Sequence, residues 1–185
     1  MQIRVLIMSI VTLCFVSLDA VAEPQYYAGT GHYYELVDGV TQWGEAKTEA
    51  ESQSYLGYAG YLATITSEGE NDFVDSTFLA TTSVHSTFVG GTKESGNWEW
   101  ITGESWSYTN WDPGEPSGGG EERLAMLAAG TGGGSHDVRG AWNDVQNFAS
   151  YPNYGYIVEY PVPESSVLAL LVLGGFGLLV RRRKK

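Results

Sequence analysis

The sequence has little cysteine and little positive charge. One cysteine, Cys14, stands among 185 residues, so no disulfide can form within the chain. That count excludes a small secreted domain built on disulfides. The 22 acidic residues outnumber the 10 basic ones, and the formal net charge is −12. Because a phosphate backbone attracts positive surfaces, we expect no nucleic acid partner, whereas divalent cations suit such a chain.

The sequence also lacks an apolar run of the roughly 20 residues that a full membrane span needs. A shorter apolar run, residues 5–18, follows Arg4 at the N-terminus. The small residues Ala20 and Ala22 come shortly after this run. These are the three parts of a secretory signal peptide, so we predict a signal peptide over residues 1–22, cleaved after Ala22. Cleavage would also remove Cys14.

A different signal lies at the C-terminus, in residues 162–185. Pro163, Glu164 and Ser165 precede an apolar run over residues 167–180, and the chain ends in five basic residues, 181–185. Basic residues beside a membrane stay on its cytoplasmic side. The segment resembles a bacterial PEP-CTERM sorting signal in which Ser165 replaces the second proline.

That resemblance implies a route to the outside of a bacterial cell. An exosortase-type enzyme would process the segment after transient anchoring in the inner membrane, with the body at the cell surface, in the outer envelope or in the extracellular matrix. The alternative is a permanent anchor by one transmembrane helix.

The body between these signals, residues 23–161, shows a mixed pattern of helices and strands. Apolar residues spaced three and four apart predict a first helix carrying Trp43, Ala46 and Ala50. Ser67, with Glu70 three residues later, predicts the start of a second helix. Short strands are predicted near residues 31–37, 60–65, 88–91 and 154–160. About 60 loop-rich residues follow the second helix, and loops of that length are usually functional.

Oxygen-bearing side chains mark this loop region. Glu115, Glu121 and Asp144 are carboxylates, and Asn143 offers an amide oxygen. Calcium prefers six to eight oxygen ligands of this kind. Carboxylates crowded together without a cation raise one another's pKa, so a divalent ion would stabilise such a loop.

Six motifs in order make residues 32 to 160 resemble a C-type lectin-like domain. Besides the two helical segments and the strand at 60–65, they are the Trp-x-Trp segment 96–103, Asn110-Trp111 with residues 113–116, and Trp142-Asn143-Asp144. The resemblance implies an α+β fold with two helices, small antiparallel sheets and a long loop region.

The resemblance also implies a calcium site. Its predicted ligands are Glu115, Ser117, Glu121, Asn143 and Asp144, with a cis Glu115–Pro116 bond turning the first two toward the ion. Two hydroxyls of a sugar would complete the coordination and bind Glu115, Ser117, Asn143 and Asp144. Ser117 stands where the family usually has Asn, and this departure leaves the sugar preference open. Glu122 is an alternative to Glu121 as a calcium ligand.

Two disulfides of the family are absent. The resemblance places one pair of half-cystine positions at Ala50 and Val158, which we expect to fill the core. It places the other pair at Arg123 and Asn147, which we expect at the surface beside the calcium loop.

Three functional hypotheses follow from the sequence. The first is calcium-dependent carbohydrate binding at the cell surface or in an exopolysaccharide matrix. The second is a calcium-independent lectin-like domain that contacts protein or matrix. The third is a hydrolase. The sequence has no Gly-x-Ser-x-Gly motif, and the acids are better explained as metal ligands, so we predict that the protein is not an enzyme.

The aromatic residues of the motifs have two possible roles. We expect Trp98, Trp100 and Trp142 in the core. Trp106, Tyr108 and Trp111 would lie either in the core or against a bound sugar.

Overall fold

The computed structural model describes residues 23–40, 42–128, 138–148 and 154–163. The predicted signal peptide lies outside these residues, as does all but the first two residues of the predicted C-terminal segment. In the described part of the chain, no helix is both long enough and apolar enough to cross a membrane. The transmembrane helix expected near the C-terminus belongs to residues outside that part.

Two α-helices form where the apolar spacing and the capping residue predict them. Helix α1, Trp43–Ser52, buries Trp43, Ala46 and Ala50 on one face. Helix α2, Glu68–Val74, begins after Ser67, whose hydroxyl oxygen accepts the Glu70 N–H at 3.3 Å. A π-helical turn, Asp75–Leu79, continues α2. The Glu70 carboxylate bonds the Thr66 N–H at 2.8 Å, so it supports the segment before the cap.

The described residues also form ten strands, and the α+β class is confirmed. They are β1 Gln25–Tyr27, β2 His32–Val40, β3 Ser54–Tyr55, β4 Tyr58–Ala59, β5 Tyr61–Leu62, β6 Ser86–Thr92, β7 Glu99–Trp100, β8 Arg123–Leu127, β9 Trp142–Val145 and β10 Tyr154–Tyr160. Eight of them share one sheet with the main order β1-β2-β10-β6-β8-β9, while β5 pairs with β10 and β7 with β6. Strands β10 and β6 run parallel, and β3 and β4 form a separate hairpin. The main sheet is therefore larger than the small antiparallel sheets that were expected.

The core consists of two apolar clusters. Ile157 belongs to one, together with Val74 of α2 and Trp142, and its neighbour Val158 belongs to the other, together with Ala46 of α1. Because successive side chains on a strand point to opposite faces, β10 serves both clusters. The helices therefore pack on different faces of the sheet.

The two pairs of positions where the family has disulfides lie in different environments. Ala50 and Val158 are fully buried in the α1 cluster, as expected. Arg123 is not at the surface as predicted, because its side chain is only 12% exposed and its guanidinium carbon lies 4.9 Å from the Trp43 ring centroid. Asn147 accepts the Gly44 N–H at 3.2 Å through its side chain and the Trp43 N–H at 2.9 Å through its backbone. Both residues thus hold the first turn of α1 by packing and hydrogen bonds.

A buried acidic network joins α2 to the sheet, and the sequence analysis missed it. Glu70 and Glu159 are 0% and 1% exposed. The Tyr34 hydroxyl lies between them and donates to Glu70 at 2.6 Å and to Glu159 at 3.2 Å. His32 Nδ1 lies 2.5 Å from Glu159, and the Thr64 N–H donates to the same carboxylate at 2.9 Å. Buried carboxylates need such partners because an unpaired charge in the interior is costly.

The pKa values of His32 and Glu70 in this network are both raised in the folded domain. The hydrogen bond to Glu159 raises the pKa of His32 above its ordinary 6.5, against the opposing effect of burial. The carboxylates of Glu104 and Glu70 also face His32 and raise its pKa further. Burial raises the pKa of Glu70 above 4.5, although the bonds from Tyr34 and Thr66 oppose it. The folded domain therefore holds protons that the unfolded chain would release.

Replacing Gly60 with alanine should destabilise the domain by about 1–3 kcal/mol, because this glycine lies between α1 and β10. A Cβ there would lie 2.6 Å from Val158 Cγ1, 2.8 Å from Tyr160 Cε1 and 2.9 Å from the Ala50 carbonyl oxygen. Urea unfolding of Gly60→Ala measures the effect. Gly44→Ala is the control, since its Cβ meets only Asn147 Oδ1 at 3.6 Å. Equal stability of the two variants would contradict this packing.

The free energy of unfolding should fall as the pH rises from about 5 to about 8. The contribution of His32 is complete below its unfolded pKa and is lost as the pH rises through the raised folded value. The contribution of Glu70 follows the same sign at lower pH. Urea unfolding at several pH values checks this, and His32→Gln should flatten the dependence above about pH 6. A wild-type slope in His32→Gln would refute the assignment.

Candidate calcium and ligand site

Strand β9 carries Asp144 at one edge of the main sheet, and the long loop lies beside it. The Trp142 N–H donates to the Asn110 carbonyl at 2.7 Å, and the Asp112 N–H donates to the Trp142 carbonyl at 2.9 Å. These two bonds make a parallel bridge between Trp111 and Trp142. Residues that follow Asp112 therefore begin their turn next to β9.

Aromatic packing holds the rest of the loop in place. Trp142 is fully buried, and its indole N–H donates to Asn71 Oδ1 on α2 at 2.8 Å. Four aromatic neighbours have ring centroids 5.5–5.8 Å from the Trp142 ring centroid, and they are Trp100, Trp106, Tyr108 and Trp111. Trp100 is buried as predicted. Trp98 is half-buried, and its ring centroid lies 5.0 Å from the ring centroid of Trp111. Trp106, Tyr108 and Trp111 are partly buried against the same core.

Two predicted site carboxylates from distant parts of the chain converge on Ser117. Its backbone N–H donates to Glu115 Oε2 at 2.7 Å and to Asp144 Oδ1 at 2.8 Å. The Gly118 N–H donates to the second oxygen of Asp144 at 2.8 Å. The Glu115–Pro116 bond between them is cis, in agreement with the sequence expectation. Loop and strand are thus joined through one carboxylate.

Glu121 belongs to the same group, and Glu122 does not. The Ser117 hydroxyl donates to Glu121 Oε2 at 3.0 Å. Glu122 is exposed, and its backbone bonds Val145 and Lys93 at the margin of the sheet. Glu121 is therefore the better placed of the two alternatives.

Electrostatics at the site follow from two close carboxyl groups. Asp144 is 1% exposed. Burial raises the pKa of Glu115, and a hydrogen bond to Asp144 raises it further, against the bonds from Ser117. A cation beside two close carboxylates would favour their ionised forms.

Asn143 precedes Asp144 on β9 and is half-buried, but its side chain takes no part in the hydrogen bonds among the described residues. The part of the chain that is described holds no group of three or more Asp, Glu, His or Cys side chains arranged to hold a metal ion. The site therefore combines a converged pair, Glu115 and Asp144, with Glu121 linked to them through Ser117.

Some supporting contacts were not predicted from the sequence. The backbone N–H of Gly118 binds Asp144, and Asn71 and Asn110 both donate to the Gly140 carbonyl, at 3.1 Å and 2.9 Å. Backbone donors carry no side-chain signature, so sequence patterns could not indicate Gly118. The asparagines act only because helix and loop meet at β9, which the sequence did not reveal.

Comparisons with known proteins agree with this architecture. Halomucin from Haloquadratum walsbyi is 36% identical over a 160-residue alignment that includes 78% of this chain, and the chain spans only about 2% of halomucin. The carbohydrate-recognition domain of cow CD23, crystallised in the presence of GlcNAc2Man3, is 25% identical with a TM-score of 0.53, over 69% of this chain and 86% of that one.

SPL-1, solved as a GlcNAc complex, is 24% identical with a TM-score of 0.59, over 79% of this chain and 96% of that one. The family model of the lectin C-type domain matches residues 40–151, which include both helices and the whole candidate site. The chain belongs to the lectin C-type domain family.

Proposed function

We propose that this protein binds carbohydrate through a calcium ion held beside Ser117. The observation that carries the proposal is the shared backbone N–H, on which Glu115 and Asp144 converge at 2.7 Å and 2.8 Å. A lectin-like role follows from the family, and the CD23 domain of that family was crystallised with an oligosaccharide.

The donor set fits calcium by its chemistry. Three carboxylates, one amide and one hydroxyl are hard oxygen ligands, and calcium accepts six to eight of these. They are Glu115, Glu121, Asp144, Asn143 and Ser117. Burial and the neighbouring Asp144 carboxyl raise the pKa of Glu115, and a bound cation would act in the opposite direction. When bound, calcium would supply coordination places for two neighbouring sugar hydroxyls.

The residues of the chain would orient the sugar and restrict water. Carboxylates accept hydrogen bonds from hydroxyls, and Asn143 can both donate and accept. Ser117 and Gly118 keep Asp144 in one orientation through two backbone donors. A preorganised pair of acceptors costs less ordering on binding than a mobile loop would.

A second candidate is lectin-like contact with protein or matrix that needs no calcium. Both oxygens of Asp144 already accept backbone N–H groups, and the aromatic cluster around Trp142 holds the loop. Loop order in this arrangement needs no ion. The response to calcium decides between the two candidates.

We also propose export to a bacterial cell surface or matrix. The N-terminal segment has the three parts of a signal peptide, and the C-terminal segment has the variant Pro-Glu motif, an apolar run and a basic end. An exosortase-type enzyme is the expected processing partner, with transient anchoring in the inner membrane.

Calcium should raise the midpoint of thermal unfolding, because an ion that binds only the folded domain stabilises it by mass action. At 100 times its dissociation constant the stabilisation is about 2.7 kcal/mol. Differential scanning calorimetry with CaCl2 or EDTA measures the shift, and Asp144→Asn should abolish it. A glycan array probed under the same two conditions should show binding only with calcium.

The control for this experiment is Glu99→Gln, which removes one exposed acid from β7 and should keep the full calcium shift. An unchanged shift in Asp144→Asn would place the ion elsewhere. No shift in the wild-type protein would favour the calcium-independent candidate.

Processing should leave Glu23 as the first residue and remove the basic end from the mature protein. Mass spectrometry of terminal peptides from cells that carry an exosortase-type enzyme measures both ends. Replacing Pro163 and Glu164 with alanine should preserve the C-terminal basic peptide. An intact residue 181–185 peptide in the wild-type mature protein would instead indicate a permanent anchor.

A further inference from the structure

Four tyrosines form a row at the edge of the sheet that lies farthest in strand order from β9. Tyr26 of β1, Tyr33 of β2 and Tyr160 of β10 are directly opposite one another in the register of neighbouring strands. The Tyr26 and Tyr33 ring centroids are 5.1 Å apart. Tyr55 of β3 lies 5.0 Å from Tyr33 and 5.8 Å from Tyr160. We call Tyr26, Tyr33, Tyr55 and Tyr160 the tyrosine row.

The tyrosine row runs from the core to the solvent. Tyr160 is 2% exposed, Tyr33 and Tyr55 are half-buried, and Tyr26 is 38% exposed. Rings anchored at one end keep their orientation, so a ligand would meet a surface that is already ordered. The rings tilt by 50–52° to one another, so both ring surface and ring edge are presented.

The hairpin of β3 and β4 extends this surface. Leu56 at its tip is 41% exposed and has a φ of +51°, which bulky residues rarely adopt. Leu56 follows Tyr55 in the chain and adds an exposed apolar side chain next to the tyrosine row.

Acids and amides surround the tyrosine row. The Tyr160 hydroxyl donates to Glu35 at 2.8 Å and to Gln53 at 2.9 Å. Burial raises the pKa of Tyr55, and the nearby Glu23 carboxylate raises it further. These carboxylates would repel an anionic ligand and can accept hydrogen bonds from a neutral one.

We propose that the tyrosine row is a second binding surface, for a neutral polysaccharide chain, and that it works without calcium. A tyrosine ring packs against the CH groups of a sugar ring while hydroxyl and carboxylate groups bond its hydroxyls. The three rings that reach solvent, Tyr26, Tyr33 and Tyr55, lie on two strands and the hairpin, and such a line of rings suits a linear polymer better than a compact ligand. The proposal shares only the ligand class with the proposed function, since it uses none of the calcium-site residues.

Affinity electrophoresis in EDTA tests the proposal with hydroxyethyl cellulose as the neutral probe and alginate as the acidic one. Hydroxyethyl cellulose should slow the wild-type protein, and alginate should not. Tyr26→Ala and Tyr55→Ala should each weaken the binding by roughly threefold to tenfold. Tyr26 is the sharper test, because its exposure means that alanine removes little core packing.

The matched control is Phe148→Ala, which removes a 60% exposed aromatic ring outside the tyrosine row and should keep wild-type retardation. Asp144→Asn should also keep it, which separates this surface from the calcium site. The proposal is overturned by no retardation of the wild type, by equal retardation of Tyr26→Ala, or by stronger retardation in alginate. It is also overturned if Tyr26→Ala converts a dimer to a monomer in size-exclusion chromatography, because the row would then be an interface between copies.

Discussion

The hydrogen bonds of Trp142 join the three parts on which the rest of the structure depends. Its backbone pairs with Asn110 and Asp112 of the loop, and its indole donates to Asn71 of α2 at 2.8 Å. This bond satisfies the N–H of a fully buried indole, which would be costly to leave unpaired in the interior. Loop, helix and sheet therefore meet at one residue, and Asp144 lies two positions farther along the same strand. The position of the candidate site is a consequence of that junction.

A strongly acidic chain must also accommodate carboxylates that the fold buries. Glu70 and Glu159 are stabilised by hydroxyl, backbone and imidazole donors, whereas Glu115 and Asp144 share backbone donors at the loop. The first arrangement satisfies its carboxylates with side-chain and backbone donors of the helix and sheet, and the second does so with backbone donors of the loop. A cation at the second place is part of the proposed function. Where the family has disulfides, this chain relies on the packing of Val158 and on polar contacts to α1.

The candidate calcium site and the tyrosine row lie at opposite edges of the main sheet, on β9 and β1. One polymer long enough to reach both edges, or two polymers held together, would bind more tightly than either surface allows alone, because the second contact becomes intramolecular. Single sugar contacts are weak, since water competes for the same hydroxyls. Two surfaces with different requirements, calcium at one and aromatic rings at the other, would suit a protein of a polysaccharide-rich environment.

Local patterns in the sequence predicted both helices and four of the strands, because spacing and capping act over a few residues, and the family resemblance implied the burial of Trp100 and Trp142. The size of the sheet, the buried acidic network and the environment of Arg123 came only from the tertiary structure. Each depends on contacts between residues far apart in the chain, such as His32 with Glu159, which no local pattern encodes. The family resemblance implied that Glu115 and Asp144 lie together around one ion, but their shared Ser117 N–H, the Gly118 donor and the bond between Ser117 and Glu121 are visible only in the folded loop. Backbone donors and loop direction leave no trace in residue type, so only the fold could decide them.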